Sequence, residues 1–265
     1  MAEILVCGGD LRQVATANSL VKKGHSVYTY LVNPVSLLSE KCVICTNPKA
    51  FSGEIVILPL PCSFDDIHLN SSSENSPEIE SIFMAVKSTA KVYGGKLTPY
   101  IKGLADRRGV KISDYLENEI FSIKNAKLTA EGAVQIAMEN MKSSISGMNA
   151  LVIGFGRIGK LLCRLLWGMG VNVTVCARRL ETLAWAEVLG YKTSNISLMN
   201  YSLKNSDLIF NTVPARIIDK TKIPADSLYV ELASKPYGAD VEFALSNISF
   251  GIIGSWVQGT TIHSF

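Results

Sequence analysis

Three glycines stand at the spacing that lets a polypeptide backbone hold a diphosphate. The segment reads Gly154-Phe155-Gly156-Arg157-Ile158-Gly159. In such a pattern Gly154 makes a tight turn, Gly156 lets the backbone approach the phosphates, and Gly159 lets the next helix pack closely on the sheet. The phosphates would lie at the helix N-terminus, where unpaired N–H groups and the helix dipole favour negative charge. We therefore predict that residues 154–159 bind a dinucleotide. The alternative is a similar unit that binds nothing.

Two arginines indicate which dinucleotide would bind. The second strand after the motif is followed by Ala177-Arg178-Arg179. An NAD site usually has Asp or Glu at this point, about 20 residues past the motif, to bind the ribose 2′-hydroxyl. Two guanidinium groups can instead pair with a 2′-phosphate. The pattern favours NADP(H); alternatively, both arginines are solvated loop residues.

The elements around the motif would place it at the edge of a parallel sheet. Asn149–Ile153 reads as a buried strand, the helix after the motif has an apolar face and ends at Gly170, and residues 171–175 form the next strand. Two later strands end in Asn211-Thr212-Val213-Pro214 and Ser234-Lys235. Because ligands of open α/β sheets bind at the carboxyl edge, residues 211–214 and 234–235 are expected to border the nicotinamide.

The first half of the chain begins with the same order of elements: a strand, a glycine turn and a helix. Ile4–Cys7 reads as a strand, Gly8-Gly9-Asp10 as a turn, and the next segment as a helix that Gly24 ends. Residues 26–30 then form a second strand, which completes the opening of a βαβ unit. Further strands are predicted at 54–58 and 91–93, and helices at 79–90 and 100–108.

These patterns predict an α/β protein with two stacked α/β domains and a cleft between them, the second domain being a Rossmann dinucleotide-binding domain with a parallel sheet. We expect a flavodoxin-like or Rossmann-like substrate domain over residues 1–128 and the NADP-binding domain over 147–248. A bridging segment, 129–146, would contain a helix from Thr129 to Lys142 with Glu131 in its first turn. Residues 249–265 would form an atypical or truncated tail.

Composition excludes several classes of protein. Of the 265 residues, 48% are hydrophobic and 18% are charged, which excludes disorder and suits strands covered on both faces. A net charge of +3 without a basic run gives no support for nucleic-acid binding. We read no signal peptide and no apolar segment long enough for a membrane span, so we expect a cytoplasmic protein.

The cysteine pattern indicates reduced thiols and no metal centre. Six cysteines suit a cytosolic enzyme. Cys42-Val43-Ile44-Cys45 is a single Cys-x-x-Cys with an apolar middle, so we interpret it as a packed strand or strand edge. A redox or metal role is the alternative, but a structural zinc site normally needs four ligands.

Six motifs taken together resemble those of the dipicolinate synthase A-subunit family of endospore-forming bacteria. They are Cys7-Gly8-Gly9-Asp10-Leu11-Arg12, Leu58-Pro59-Leu60-Pro61, Thr129-Ala130-Glu131-Gly132-Ala133, the glycine motif, Asn211-Thr212-Val213-Pro214 and Ala233-Ser234-Lys235-Pro236. The resemblance covers residues 3–245 and lies in the joint order of the motifs. Residues 249–265 depart from the family pattern.

This resemblance implies a function and a partner. It implies NADP-linked oxidation of a cyclic dicarboxylate derived from the lysine pathway, a dihydro- or hydroxytetrahydro-dipicolinate, to pyridine-2,6-dicarboxylate during sporulation. It also implies a second, flavoprotein-like dipicolinate synthase B-subunit, a location in the mother-cell cytoplasm, and assembly into an oligomer. A non-catalytic NADP-binding regulatory module and a hydroxyacid- or shikimate-type dehydrogenase are the competing hypotheses.

A dicarboxylate substrate calls for cations or helix N-termini. Arg12 follows a glycine turn at the start of a helix and is the first candidate, followed by Lys96 and Lys235; each is alternatively a surface charge. Further candidates to line the substrate site are Thr129, Glu131 and Ser234, although the Thr-x-Glu order also fits a helix cap. The pattern assigns no catalytic acid or base, and among the histidines only His263 is considered for that role.

Overall fold

The computed structural model describes residues 1–234, 236–239 and 249–252. Lys235 and His263, both discussed above, and all the tail after Ile252 lie outside the described residues. The chain divides into two compact units, the first ending at Phe121 and the second beginning at Ser122. We call them the N-terminal unit and the C-terminal unit.

The N-terminal unit alternates strands and helices. Its elements are β1 Glu3–Cys7, α1 Leu11–Lys22, β2 Ser26–Tyr30, β3 Val43–Ile44, β4 Ile55–Ile57, α2 Ile79–Ala85, β5 Lys91–Gly94, α3 Pro99–Arg107 and β6 Lys111–Asp114. All the paired strands are parallel, in the order β3-β2-β1-β4-β5-β6. Val43 and Ile44 of the Cys-x-x-Cys segment form the edge strand β3, as predicted, but both side chains are exposed, so the expected packing is wrong.

The C-terminal unit repeats this arrangement. Its elements are α4 Glu119–Asn140, whose first residues precede the unit boundary, β7 Asn149–Ile153, α5 Arg157–Gly168, β8 Asn172–Ala177, α6 Leu180–Val188, β9 Lys192–Asn195, α7 Met199–Lys204, β10 Leu208–Asn211, β11 Leu228–Glu231 and β12 Ser249–Ile252. The parallel sheet has the order β12-β11-β10-β7-β8-β9. Numbered within its own unit, each sheet therefore has the order 3-2-1-4-5-6 of the dinucleotide-binding fold. The predicted α/β class is confirmed.

Alternating side chains explain why both faces of each sheet are covered. In β7, Ala150 and Val152 belong to one apolar cluster, whereas Leu151 and Ile153 belong to another. Successive side chains of a strand point to opposite faces, so a continuous apolar run requires helices on both sides. The same division holds in β1, where Leu5 and Ile4 belong to different clusters.

Three boundaries differ from the sequence prediction. The helix expected from Thr129 begins at Glu119, ten residues earlier, and ends at Asn140. Thr129 and Glu131 therefore lie in its middle, and the interpretation of Thr129 as a cap and of Glu131 as a first-turn residue is wrong. The helix expected over 79–90 ends at Ala85 because Val86 is extended. Ser249–Ile252, placed in the tail by the sequence, pairs with β11 as β12.

Candidate functional site

The glycine turn of the C-terminal unit has the backbone geometry that its spacing predicts. Gly154 has φ +94°, in the left-handed region that favours glycine. A side chain at Gly159 would collide with the carbonyl of Gly154, so α5 packs against β7 only because residue 159 is glycine. A side chain at Gly154 would meet Thr212 and Val213, which places the end of β10 beside the turn.

The N-terminus of α5 is open. Its N-cap is Gly156, which offers no side chain to the N–H groups of the first turn, and those groups have no acceptor within the helix. A Cβ built on Gly156 would meet no heavy atom within 4 Å. First-turn amides without a side-chain cap, the positive end of a helix dipole and open space above Gly156 fit a diphosphate. The residues present therefore fit a dinucleotide.

The end of β8 carries the two arginines. Ala177, its last residue, is buried, and Arg178 and Arg179 are both exposed. Arg179 is the N-cap of α6 and makes no capping side-chain hydrogen bond. The acidic residue next along the chain, Glu181, lies in the first turn of α6. A guanidinium pair thus occupies the position where an NAD site has a carboxylate.

Polar groups tie the carboxyl end of β10 to both neighbouring strands, β7 and β11. Thr212 donates from its N–H and its hydroxyl to the carbonyl of Ile153, at 2.9 and 2.8 Å. Asn211 and Glu231 are fully buried, and the Asn211 amide donates to the Glu231 carboxylate at 2.7 Å. Sequence reasoning missed Glu231. Its signal was an acidic residue inside the apolar run Tyr229-Val-Glu-Leu-Ala233.

The corresponding turn of the N-terminal unit is closed. Gly8 and Gly9 have φ +55° and +77°, and the N–H of Gly9 donates to the carbonyl of Asn70 at 2.7 Å. A side chain on Gly8 would collide with that carbonyl. The side chain of Asp10 caps α1 by accepting the N–H of Arg12 at 2.9 Å. A backbone carbonyl and a carboxylate thus occupy the places that a phosphate would need.

Arg12, the first candidate for a substrate carboxylate, is held within this unit. Its guanidinium donates to both carboxylate oxygens of Asp10, at 2.9 and 2.8 Å, and to the carbonyl of Leu60. Its Nη1 atom is buried and has no hydrogen-bond partner among the described residues. Tyr115 lies close by, and the pKa of its hydroxyl is raised. Burial causes this rise, and the positive charge of Arg12 opposes part of it.

The remaining substrate candidates belong to three different parts of the chain: the segment after β5, helix α4 and the segment after β11. Lys96 is exposed with φ +57°, just after β5. Thr129 is buried in α4 and donates to the carbonyl of Asn125 at 3.1 Å. Glu131 is exposed on the same helix and lies 3.5 Å from Lys127. Ser234 is exposed after β11.

The described residues contain no cluster of three or more His, Cys, Asp or Glu side chains suited to a metal ion. All six cysteines are free, and burial raises the pKa of Cys176 to about 11 and of Cys62 to about 12. Both histidines in the described part of the chain lie in the N-terminal unit. His25 accepts the N–H of Ala2 at 3.3 Å, and His68 Nδ1 lies 2.6 Å from Asp65.

Within the part of the chain that the structure describes, none of the helices combines the length and the apolar character that a membrane span requires.

Two family models match the chain, one in each half. Residues 3–116 match the N-terminal domain of the dipicolinate synthase A-subunit. Residues 122–228 match the NAD-binding domain of D-isomer specific 2-hydroxyacid dehydrogenases. The two matches meet near the boundary between the units, and the second includes the glycine turn and β10. The C-terminal unit is therefore a nicotinamide dinucleotide-binding domain of the oxidoreductase type.

Relatives cover most of the chain. The dipicolinate synthase A-subunit of Bacillus subtilis is 24% identical over 249 residues, which are 91% of this chain and 84% of the relative. The crystal structure of the dipicolinate synthase A chain from Bacillus subtilis superposes with a TM-score of 0.80 at 23% identity, covering 97% of this chain and 90% of that one. The dipicolinate synthase A-subunit from Bacillus halodurans gives 0.82 at 22% identity, covering 94% and 88%. These solved structures support the fold.

Proposed function

Because this chain belongs to the dipicolinate synthase A-subunit family, we propose that it oxidises a dihydro- or hydroxytetrahydro-dipicolinate to pyridine-2,6-dicarboxylate with NADP during sporulation. The observation that carries the proposal is the open N-terminus of α5, next to two arginines at the end of β8. The site has the features of a dinucleotide-binding sheet edge. The same chain also contains a domain that matches the N-terminal domain of this family.

The choice of NADP rests on charge. A carboxylate at the end of β8 would repel a 2′-phosphate, whereas Arg178 and Arg179 are exposed and can each donate charge-assisted hydrogen bonds to it. The amides of residues 157–159 would hold the diphosphate, with Gly154 and Phe155 forming the turn beneath it. Thr212, Val213 and Pro214 would border the nicotinamide, with Ser234 and Lys235 from the segment after β11.

The proposed oxidation depends more on how the substrate ring is positioned than on a strong general base. The dinucleotide, when bound, would supply the hydride acceptor; the ring would lose that hydride and one proton, and the aromatic product favours the reaction. The chain must hold the substrate ring at the nicotinamide and keep water away. A hydroxytetrahydro substrate must also lose water, and no described side chain is assigned as the acid or base for that step.

Two substrate carboxylates need donors. We propose Arg12, Lys96 and Lys235 for this role, and Thr129, Glu131 and Ser234 as further substrate-binding residues. Arg12 already faces the carboxylate of Asp10, so we assign its Nη1 atom to the substrate. The Asp10 charge offsets part of the attraction, which makes Arg12 a group that orients the substrate more than one that adds affinity.

A partner completes the proposal. The relative from Bacillus subtilis is named as the A-subunit of its enzyme, which implies that at least one other kind of subunit exists. We propose that the partner is the flavoprotein-like B-subunit of dipicolinate synthase, that the assembly is oligomeric, and that it acts in the mother-cell cytoplasm.

The test is an oxidation assay. The cyclised adduct of aspartate semialdehyde and pyruvate is supplied with NADP, with and without the second subunit, and formation of NADPH is followed at its absorbance band. We expect turnover in at least one of the two conditions. Tight NADP binding without turnover in both would contradict catalysis and favour a regulatory NADP sensor.

A hydroxyacid dehydrogenase is the second candidate, since the C-terminal unit matches the 2-hydroxyacid dehydrogenase NAD-binding domain. Such enzymes are expected to place a catalytic histidine or a Lys–Asp pair at set positions, and both described histidines belong to the N-terminal unit. Reduction of pyruvate by NADH in the absence of any dicarboxylate would support this candidate over the first.

A further inference from the structure

Glu231 is a buried acidic residue that the proposed reaction does not yet use. Its side chain is fully buried at the end of β11, and no lysine or arginine among the described residues forms an ion pair with it. A carboxylate is costly to bury unless hydrogen bonds replace its lost water. The contacts of Glu231 therefore indicate what keeps it there.

Each carboxylate oxygen accepts two hydrogen bonds. Oε1 accepts from the amide of Asn211 at 2.7 Å and from the N–H of Ala233 at 3.0 Å. Oε2 accepts from the hydroxyl of Tyr229 at 2.7 Å and from the N–H of Gly238 at 2.8 Å. All four neighbouring groups are donors, so the side chain at position 231 must present a hydrogen-bond acceptor at each of its two terminal atoms.

These donors belong to two chain segments that follow neighbouring strands. Asn211 ends β10, and its side chain also receives the N–H of Val213 at 3.1 Å and donates to the Val213 carbonyl at 2.9 Å. Ala233 and Gly238 belong to the segment after β11. The carbonyl of Gly238 in turn accepts the N–H groups of residues 217 and 218. One carboxylate thus links residues 211–218 to Ala233 and Gly238.

Close packing leaves this network little freedom. A side chain on Gly238 would collide with the amide of Asn211. Asn211 and Glu231 are register partners on adjacent strands, and Tyr229 is fully buried. Buried polar networks in which every donor has an acceptor tend to fix one conformation.

We infer that Glu231 is a positioning residue that fixes the two segments bordering the nicotinamide half of NADP, and that it does not affect the adenosine half. The inference rests on the proposed function, because it assumes that the dinucleotide lies along α5 with its nicotinamide at β10 and β11. The adenosine half would lie at α5 and at the end of β8, beyond the reach of this network.

The test compares two ligands. NADP⁺ and 2′-phospho-ADP-ribose, which is NADP⁺ without the nicotinamide, are titrated into the full chain by calorimetry. Glu231→Gln keeps the shape of the side chain but sets an amide N–H against a donor such as that of Gly238. We expect NADP⁺ affinity to fall at least tenfold while affinity for the fragment stays within twofold of wild type.

A matched control distinguishes an effect on the position of the two segments from a general loss of stability of the C-terminal unit. Ser227 is buried at the amino end of the same strand, and its hydroxyl donates to the carbonyl of Ser206 at 2.6 Å. Ser227→Ala also loses a buried hydrogen bond of the C-terminal unit, yet it should leave the ratio of the two affinities at the wild-type value. Tyr229→Phe removes one donor but keeps both acceptors, and serves if Glu231→Gln does not fold. We expect it to weaken NADP⁺ binding two- to threefold without changing fragment binding.

The outcomes are distinct. Equal losses for both ligands, or no loss for either, in the folded Glu231 or Tyr229 variant would overturn the positioning role. If the wild-type chain bound neither ligand, the proposed function would fail and the inference with it.

Discussion

The two glycine turns of this chain have the same topological position but opposite properties. In each unit the first strand of a 3-2-1-4-5-6 parallel sheet leads through glycines into a helix. In the N-terminal unit the Asn70 carbonyl takes the N–H of Gly9, and the Asp10 carboxylate caps α1. In the C-terminal unit Gly156 provides no cap and faces open space.

This difference shows that fold alone does not make a dinucleotide site. The helix dipole and the strand order are common to both units, so neither distinguishes them. What differs is whether a side chain caps the helix that follows the turn, and whether that cap carries a negative charge. By these criteria only the C-terminal turn suits a diphosphate.

The largest expected effect comes from giving the C-terminal turn an aspartate N-cap like Asp10 of the N-terminal turn. Gly156→Asp would place a carboxylate at the N-cap of α5, where Gly156 already has extended backbone that any residue adopts. The charge would repel the diphosphate and its oxygens would take the first-turn amides. We expect NADP affinity to fall more than about a hundredfold, or about 3 kcal/mol, by calorimetry.

The same variant should not damage the fold. An Asp N-cap stabilises a helix relative to glycine by a few tenths of a kcal/mol, so the melting temperature of Gly156→Asp should equal or exceed that of wild type. Gly156→Ala is the matched neutral control. Retained NADP binding by Gly156→Asp would contradict the role given to this helix end.

The next largest effect concerns the arginines, which have no counterpart at the N-terminal turn. Replacing Arg178 and Arg179 together by Ala should weaken NADP binding by about 1–3 kcal/mol, roughly five- to 150-fold. NAD binding should be nearly unchanged, because NAD lacks the 2′-phosphate. Titrating each cofactor into both proteins measures the difference, and equal losses for the two cofactors would exclude the assignment.

A smaller effect is expected from opening the first turn. Asp10→Ala removes the N-cap of α1, which should lower the free energy of unfolding by about 1–2 kcal/mol in urea denaturation. NADP affinity and the number of bound nucleotides should not change, since the Asn70 carbonyl still holds the N–H of Gly9. Asp10→Asn keeps a capping oxygen and should lose less stability. A second bound nucleotide in Asp10→Ala would show that Asp10 alone closes the turn.

The smallest effect should be shared by both units. Burial raises the pKa of Cys7 and Cys62 in the first unit and of Cys163 and Cys176 in the second. Above the unfolded thiol pKa of about 8.5, the unfolded chain releases protons that the folded chain keeps, so stability falls as pH rises.

Between pH 7.5 and 9 we expect a loss of under about 1 kcal/mol per buried thiol. Urea denaturation of single Cys→Ser variants at both pH values checks this, since each variant should lose part of the pH dependence. A pH dependence unaltered by substitutions in one unit would mean that its thiols do not contribute.

Much of the fold was readable because its signals are local. The glycine spacing, the buried strand Asn149–Ile153 and the helix ends at Gly24 and Gly170 depend on neighbouring residues, and both glycines have positive φ. Strands β6 and β9 were missed because edge strands such as Lys111–Asp114 and Lys192–Asn195 carry polar residues without a clear alternation. The start of α4 was misplaced because Thr129 and Glu131 imitate a helix cap.

The site was predictable only in part, for a related reason. Gly154–Gly159 are contiguous, and their roles follow from spacing. The contacts of Glu231 are with Asn211 and Gly238, which only the strand register and the later turn bring together. The closure of the first turn depends on Asn70, about sixty residues further along the chain, and no local pattern indicates it.

The stoichiometry of nucleotide binding tests the central claim most directly. NADP⁺ titrated calorimetrically into the wild-type chain should give one binding event per chain, with its affinity lowered by Gly156→Asp and unaffected by Asp10→Ala. Two nucleotides per chain, or one that Gly156→Asp does not weaken, would contradict the account of the open and closed turns.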